Sequence, residues 1–162
     1  MSGPEPFNLL AAETGIVAHL VAATQEGADP WARKVGTKDY LASVVEEVQV
    51  VPAVYVVYGG LMVYDADEQR ASLGHRWLVV LAVGTAADMR EAAPRNQEAG
   101  PLMGRLIVAL HGFVPPGSSF GLVPVQPPPP YYSEGGKFAY YPLAFVSRAM
   151  YSHRFGLAGA SN

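Results

Sequence analysis

The chain has 162 residues, the length of one domain, and half of them are hydrophobic while only 15% are charged. Because an average soluble domain is roughly 25% charged, part of the apolar surface is expected to face a partner. The net charge of −3 argues against electrostatic capture of nucleic acid, and the absence of cysteine excludes disulfides, thiolate nucleophiles and Cys-ligated metal centres.

The first part of the chain predicts a helix, a loop and a short helix. Apolar residues recur at helical spacing from Asn8 to Ala23, and Asn8 can cap that helix. The polar stretch from Thr24 to Gly36 predicts a loop, in which Trp31 either anchors an interface or folds back on the core. Thr37 can cap a short helix from Asp39 to Val45. The N-terminus has no cationic segment before an apolar stretch, and no apolar run reaches membrane length, so neither secretion nor a membrane partner is expected.

Two strands are predicted in the middle of the chain. Residues Pro52 to Tyr64 are rich in valine and tyrosine, with a glycine bulge or bend at Gly59 and Gly60. Residues His75 to Thr85 form a second apolar run, and the polar segment Asp65 to Gly74 connects the two. This order predicts an antiparallel hairpin. Because the second strand is apolar on both faces, helices should cover one face, and a neighbouring subunit is a candidate for the other.

The second half predicts a helix followed by extended segments. The segment Asp88 to Gly112 is helical in pattern, with either a break near Gly100 or a kink at Pro101. Leu122 to Val125 is a short strand candidate, and the four prolines that follow favour a stiff spacer over a ligand for an aromatic groove. Lys137 to Tyr151 is the last long strand.

Pro142 lies in the middle of that last strand and has no amide hydrogen for a central ladder. The strand should therefore be an edge strand or be bulged there. Together these elements predict an α+β fold: a mostly antiparallel sheet of about four strands with two main helices packed on it. Residues 1–151 are expected to form one domain, and the small, polar residues 152–162 a flexible C-terminal tail.

Residues capable of chemistry are sparse and scattered. The four histidines lie far apart without the spacing of a metal site, no serine occupies a nucleophile elbow, and no phosphate-binding glycine loop is present. The acidic residues Asp65, Asp67 and Glu68 fall at a hairpin tip, where acid/base catalysis is improbable. We therefore expect no catalytic residue, no cofactor and no metal.

Several segments carry a family resemblance. They are Ala53 to Tyr58, Gln69 to Gly74 leading into Arg76 to Val83, Ala99 to Leu102 with its helix, and Phe138 to Phe145. This pattern of apolar segments, over roughly residues 50 to 150, resembles the tail terminator proteins of long-tailed bacteriophages and prophages, also catalogued as tail-completion or minor tail proteins.

The resemblance implies a structural virion protein rather than an enzyme. Members look like small α+β domains that form hexameric rings at the head-proximal end of the tail tube, where they stop tube polymerisation and join the tail to the neck. The expected partners are other copies of the chain, the tail tube protein and a neck or head-completion protein. DNA would at most pass through the lumen, and the protein would be assembled in the host cytoplasm.

A ring subunit needs two different complementary faces, so loops and the hairpin tip are the expected contact regions. Interface candidates are Trp31, Tyr64, Asp65, Asp67, Glu68, Arg70, Tyr131 and Tyr132. Two alternatives stay open: a head-completion or adaptor protein bound at the portal, and a small enzyme or ligand-binding domain. A deep polar pocket lined by His75 or His111 with acidic residues would favour the last of these.

Overall fold

The structure is a computed structural model, which describes residues 8, 10–46, 50–84, 92–152 and 156–157. Helices and strands alternate along the chain in the following order. The elements are α1 (Ala11–Thr24), β1 (Lys34–Lys38), α2 (Leu41–Glu46), β2 (Ala53–Ala66), β3 (Arg70–Gly84), α3 (Ala92–Leu110), β4 (Val123–Val125), β5 (Tyr131–Tyr132), a 3₁₀ turn (Glu134–Gly136), β6 (Phe138–Ser152) and β7 (Gly156–Leu157).

The described strands form one seven-stranded sheet. Its order is β1-β2-β3-β6-β4, and β5 and β7 also pair with β6. Strand β1 runs parallel to β2, whereas every other pair is antiparallel. The α+β class is confirmed, but the prediction of about four antiparallel strands is wrong. The missed strands are five residues or fewer, and β1 carries two lysines and a glycine, which masked its strand character.

The hairpin of β2 and β3 is longer than the sequence predicted. The connection expected from Asp65 to Gly74 is mostly strand, and the turn is only Asp67 to Gln69. The Asp67 carboxylate closes this turn by accepting hydrogen bonds from the backbone amides of Gln69 (2.7 Å) and Arg70 (2.8 Å). The residues after the turn alternate polar and apolar, so they continue the strand despite their low hydrophobicity.

Glycines bend this hairpin where the sequence suggested. The register between β2 and β3 shifts between Tyr58 and Gly60, and again between Val63 and Asp65. Gly60 has a φ of 110°, which only glycine adopts readily, so the predicted glycine bulge is present.

One face of the sheet packs against the two main helices. The buried side chains of this helix-side face include Trp77, Val79, Leu81 and Phe145, and they contact Ile16 and Leu20 of α1 and Leu106 and Leu110 of α3. Trp77 is fully buried, and its indole N–H donates a 2.9 Å hydrogen bond to the Ser147 hydroxyl. The two predicted helices therefore pack on this face, but the predicted Asn8 cap is wrong, because α1 begins at Ala11 and its N-terminus has no side-chain cap.

The opposite face is covered by short elements of the same chain. Val44 of α2 lies against Tyr55 and Val80, and Tyr131 and Phe138 pack at the edge of the same cluster. The Thr37 cap predicted for α2 is wrong, because Thr37 lies inside β1 and α2 begins at Leu41.

Helix α3 runs from Ala92 to Leu110 with Pro101 inside it, so the chain does not break near Gly100. Residues 88–91 of the predicted helix lie outside the described residues. Gly112, with a φ of 84°, follows the helix as expected of a C-terminal glycine.

Pro142 lies where the outer side of β6 lacks a strand. Strand β4 pairs with residues 144–146 of β6 and β5 with residues 139–140, which leaves Pro142 between them in the described chain. The residues that join β4 to β5 include the four prolines, so the stiff spacer passes this gap. The amide hydrogen that Pro142 lacks therefore removes no backbone hydrogen bond to a neighbouring strand on the outer side of β6.

Most of the predicted flexible tail, residues 152–162, lies outside the described residues. Within it, Gly156 and Leu157 form β7 beside Tyr151 and Ser152. None of the described helices combines the length and the hydropathy needed to cross a membrane.

The core contact of α3 can be tested with neighbouring residues of one helix. Leu106 is fully buried, whereas Ile107 is 37% exposed. Leu106→Ala should destabilise the fold by about 2–5 kcal/mol, because it removes buried methyl groups and leaves a cavity. Ile107→Ala is the matched control and should cost less than ~1 kcal/mol. Urea unfolding followed by circular dichroism measures both, and equal losses would contradict the assignment of Leu106 to the core.

Candidate assembly surfaces

The part of the β2–β3 hairpin beyond the first bulge, residues 59–75, is called the arm. Strand β1 pairs with β2 only from Ala53 to Val57. From Gly59 to Ala66 the outer edge of β2 therefore has no strand beside it in the described part of the chain. Such an edge presents backbone N–H and C=O groups that another chain can pair with.

Four consecutive large apolar residues of the arm are exposed. The exposed fractions are 49% for Leu61, 38% for Met62, 64% for Val63 and 44% for Tyr64. A row of this size at an open strand edge is unusual for a monomer and typical of an interaction site.

These side chains divide between the two faces of the sheet. Leu61 pairs with His75 and Val63 with Leu73, so both lie on the helix-side face, beyond the helices. Met62 pairs with Gly74 and lies on the opposite face. The arm thus offers Leu61 and Val63 as one apolar row, which we call the arm row.

Tyr64 turns toward the opposite face and is held against the body. Its ring lies 4.2 Å from the Arg148 guanidinium, and it covers Gly74, where a Cβ atom would come within 2.5 Å of the ring. Arg148 also donates a 3.0 Å hydrogen bond to the Ser72 hydroxyl and lies near the Phe120 ring. The Arg148 Nε atom is buried without a hydrogen-bond partner. Glycine at position 74 therefore permits the stacking that fixes Tyr64.

The tip of the arm is acidic. Asp65, Asp67 and Glu68 are exposed, with Arg70 beside them. The backbone hydrogen bonds from Gln69 and Arg70 hold the pKa of Asp67 below its ordinary value, so its negative charge persists while it closes the turn.

A buried polar cluster lies where the arm meets the body. His75 is 3% exposed, and its Nδ1 atom lies 3.0 Å from the Tyr58 hydroxyl, while its Nε2 atom lies 3.4 Å from that of Tyr151. The rings of Tyr58, His75 and Trp77 also contact one another in tilted arrangements. Burial lowers the pKa of His75 below its ordinary 6.5 and raises the pKa of Tyr58 and Tyr151. The cluster is therefore neutral near pH 7 and forms part of the packing.

A second apolar surface lies on the helices. The end of α1, the loop after it and α3 enclose a groove of about 500 Å³, called the Trp31 groove. It is lined by Ala23, Thr24, Trp31, Pro101, Gly104, Arg105, Val108 and Ala109. Val108 is 82% exposed at its rim.

Trp31 is half-buried in this groove. It packs at the margin of the helix-side core, and Arg105 lies 6.0 Å from its ring centroid. The backbone amide of Trp31 donates to the Thr24 carbonyl oxygen (2.8 Å), and Arg105 forms a 3.1 Å ion pair with Asp29. The loop is thereby fixed, so Trp31 both folds back on the core and lines a groove.

Tyr131 and Tyr132 occupy a third region. Tyr131 stacks on Tyr140 at 4.8 Å, and its hydroxyl lies 3.4 Å from the Leu41 carbonyl oxygen. Its burial, together with the nearby Tyr140, raises the pKa of Tyr131 to about 12. Tyr132 is 45% exposed. Tyr131 contributes to the packing of the opposite face, and Tyr132 remains accessible.

The structure therefore brings five of the eight predicted interface residues together and separates the other three. Tyr64, Asp65, Asp67, Glu68 and Arg70 all lie on the arm. The arm row and Val108 were not predicted from the sequence. Two signals were available: the apolar run continues past the glycine bulge, and three consecutive apolar residues on a helix, Leu106 to Val108, cannot all face one core.

Neither apolar surface is arranged for chemistry. The described residues include no group of three or more His, Asp or Glu side chains that could hold a metal ion. His75 lies inside the sheet among tyrosines and a tryptophan rather than in a polar pocket with carboxylates. The geometry favours contact with other proteins.

Comparison with known families identifies the class of protein. The model of the family described as phage tail terminator protein matches residues 8–152. The chain belongs to the phage tail terminator family. Tail terminators are structural proteins of the virion tail, so the predicted resemblance is confirmed. Virion localisation and assembly with other virion proteins follow from this membership.

One solved structure of similar fold is a chain of the "Virion of native gene transfer agent (GTA) particle". It is 18% identical, and the alignment covers 85% of the present chain and 90% of that chain with a TM-score of 0.45. Among the curated proteins, none matches this sequence.

The buried His75 cluster predicts a pH dependence of stability. Because the folded pKa of His75 lies below the unfolded value near 6.5, the unfolded chain binds the proton first as the pH falls. Its stabilising contribution is present above pH 6.5 and decreases as the pH falls from there toward the folded pKa. His75→Gln should flatten the dependence of the unfolding free energy between pH 7 and 5. An equally steep curve in the variant would assign the effect to other groups.

The contact of Arg148 with Tyr64 predicts how the arm is held. Arg148→Lys keeps the charge but loses the planar guanidinium, so the stacking on Tyr64 should weaken. Amide hydrogen exchange of residues 62–66 should accelerate about tenfold, because local opening of the arm becomes easier. Arg105→Lys, at another arginine that faces an aromatic ring, is the control and should leave exchange in the arm unchanged.

Proposed function

We propose that this tail terminator forms a hexameric ring at the head-proximal end of a phage tail tube. The ring ends polymerisation of the tube and supplies the surface that joins the tail to the neck. The observation that carries the proposal is the family match over residues 8–152.

The surfaces of the chain support a ring. The arm and the Trp31 groove are different apolar surfaces, built from different elements. Subunits that bind through two different surfaces form head-to-tail contacts, and such contacts close into a ring when the rotation between neighbours fits. Neither surface contains a catalytic constellation, so the proposed role is structural and not enzymatic.

The partners follow from that position. Besides its own copies, the ring contacts the last ring of tail tube protein on one side and a neck or head-completion protein on the other. DNA at most passes through the lumen, since the chain is weakly acidic and its few basic residues form no stripe. Assembly takes place in the host cytoplasm, and the finished ring remains in the virion.

Tube capping provides the direct test. Tail tube protein polymerised with this chain should give short tubes with an extra ring at one end, as seen by negative-stain electron microscopy. Without the chain, the tubes should grow without limit. Native mass spectrometry of the chain and of the capped tubes gives the number of copies. Unchanged tube length together with monomers under both conditions would contradict the proposal.

A second reading, a head-completion or adaptor protein at the portal, remains testable in the same particle. Immunogold labelling of an epitope-tagged chain distinguishes the two locations. Label on isolated tails supports the terminator role. Label only on tail-less heads would instead favour the role of a head-completion or adaptor protein at the portal.

A further inference from the structure

We propose that the cleft between the arm and β4 binds a short acidic segment of another virion protein. An apolar side chain of that segment enters the cleft, and a carboxylate beside it meets the Arg148 guanidinium. The contact does not require a ring, so it can be tested apart from the proposed function.

The cleft lies on the face of the sheet opposite to the helices. Val146 and Arg148 form its floor at alternate positions of β6, and they follow Ala144 of the opposite-face cluster. Its volume is about 320 Å³, and we call it the Arg148 cleft. The lining residues are Tyr64, Phe120, Gly121, Val123, Val125, Val146 and Arg148. Phe120 is 54% exposed and Val123 is 53% exposed, so the wall beside β4 is open to a partner. A volume this small suits one anchoring side chain better than a cofactor.

Arg148 is a half-buried cation without a counter-ion in the described part of the chain. Its Nη2 atom donates to the Ser72 hydroxyl, and its Nε atom is buried without an acceptor. Its guanidinium otherwise lies against the rings of Tyr64 and Phe120. A cation that is partly removed from water and unpaired is costly. A carboxylate brought by a partner would form a charge-assisted hydrogen bond with Arg148 and offset that cost.

A second arginine reinforces this preference. Arg76 lies opposite Val146 in the register of β3 and β6, so the two arginines flank Val146. The Nη2 atom of Arg76 donates to the carbonyl oxygen of Gln126, the residue after Val125 of the cleft. Its Nε atom is also buried without an acceptor. The cleft therefore has a positively charged side chain near each end.

The elements around the cleft supply few acidic groups. Residues 112–133, which form the wall beside β4, include no charged residue, and Arg148 is the one charged residue of β6. The acidic residues beside the cleft belong to the arm, where Asp65 lies opposite Ser72 and precedes the acidic tip. An incoming carboxylate is repelled from that end and attracted to the floor between the two arginines. The polarity of the cleft thus selects an acidic segment and sets its position.

The exposed acidic segments of this chain fit the cleft poorly. At the arm tip, the residue between the aspartates is Ala66, which is too small to serve as an anchor. Before α2, the exposed Tyr40 follows Asp39, but Lys38 precedes them and cancels the charge of the aspartate. A different protein is therefore the better occupant, and a second copy of this chain is the alternative that the experiments must separate.

A synthetic peptide tests the chemistry directly. The probe is acetyl-Ser-Glu-Phe-Glu-Ser-amide, titrated into the isotope-labelled full chain and followed by NMR. Amide signals of residues 120–125 and 146–148 should shift, with a Kd of roughly 0.1–1 mM for so small a contact. The peptide with glutamine in place of both glutamates should bind roughly tenfold more weakly, because it loses the charge-assisted hydrogen bond.

Two further titrations define the occupant. The peptide with alanine in place of phenylalanine should also bind roughly tenfold more weakly, because the anchor is lost. The small acid 3-phenylpropionate should bind more weakly than the parent peptide, because it offers one carboxylate to two arginines. Equal binding of the glutamate and glutamine peptides would overturn the inference, as would shifts confined to other surfaces. Tighter binding of the small acid would assign the cleft to a small carboxylic acid.

Variants of the chain locate the contact. Val123→Glu places a carboxylate at the rim and should weaken binding of the parent peptide by roughly tenfold or more. Val108→Glu, at an exposed valine of α3, is the matched control and should stay within about twofold. Circular dichroism verifies that both variants fold. Equal effects of the two would place the peptide outside the cleft.

Substitutions of Arg148 separate its charge from its stacking on Tyr64. Arg148→Gln should weaken peptide binding by roughly tenfold, whereas Arg148→Lys keeps the charge and should lose less. Arg33→Gln, at an exposed arginine of the loop before β1, controls for the change in net charge and should bind as the parent does. Equal losses in Arg148→Lys and Arg148→Gln would assign the effect to the arm and overturn recognition of a carboxylate.

Sedimentation velocity distinguishes a second copy from another protein. The parent chain should show the same association state with and without saturating peptide. If the peptide dissociates oligomers of the chain, or if Arg148→Gln prevents their formation, the occupant is a second copy and the inference is overturned. Loss of peptide binding with tube capping intact would reject this contact and leave the proposed function standing.

Discussion

The long strands of this protein extend beyond the helices that cover them, and most of its exposed features follow from that mismatch. Strands β2, β3 and β6 have 14, 15 and 15 residues. Helices α1 and α3 cover the part of the sheet that contains Val54, Trp77 and Phe145. Beyond it the sheet continues because β3 is hydrogen-bonded on both sides, by β2 and by β6. The ladder keeps the arm extended where packing no longer supports it, so the arm is ordered and still exposed.

An exposed strand edge with apolar side chains invites uncontrolled pairing, and the arm carries features that limit it. Two irregularities in the register, one of them at Gly60, interrupt the even spacing of the edge. Acidic residues at the tip repel an identical arm, and Arg148 holds Tyr64 against the sheet. Such an edge resists indiscriminate addition of strands while it keeps Leu61 and Val63 accessible. This combination suits a protein that must remain separate until it meets its assembly partner.

Local patterns predicted the parts of the fold that are encoded locally. Helical spacing from Leu9 onward placed α1, and the valine-rich runs with two glycines placed the bulged hairpin. Strand β1 was missed because its stability comes from parallel pairing with β2 and not from its own composition. The hairpin was predicted too short because polar residues from Asp65 to Ser72 resemble a loop unless their ladder partners are known.

The candidate assembly surfaces were predictable only in part, because the Trp31 groove depends on contacts between residues that are distant in sequence. The acidic tip and Tyr64 follow from a hairpin, so the sequence indicated them. The Trp31 groove depends on the loop after α1 lying against α3, where Arg105 reaches Asp29 and the Trp31 ring. That contact joins residues far apart in sequence, and no periodicity encodes it. Val108 becomes informative only once Leu106 is known to face the core.

In the proposed ring, closure would supply the cooperativity that a single contact between two neighbouring copies lacks. One such contact buries few side chains, and association of two copies costs several kcal/mol of translational and rotational freedom. In an open row of subunits, each added copy gains one contact. The copy that closes the ring gains two contacts, but it loses its translational and rotational freedom only once. Its second contact forms at a high effective concentration, because the partner surfaces are already held nearby. A tube end that holds the first copies side by side would lower the same cost. In the proposed assembly, weak individual contacts and a stable ring are therefore compatible, and closure would be favoured where a tube provides a template.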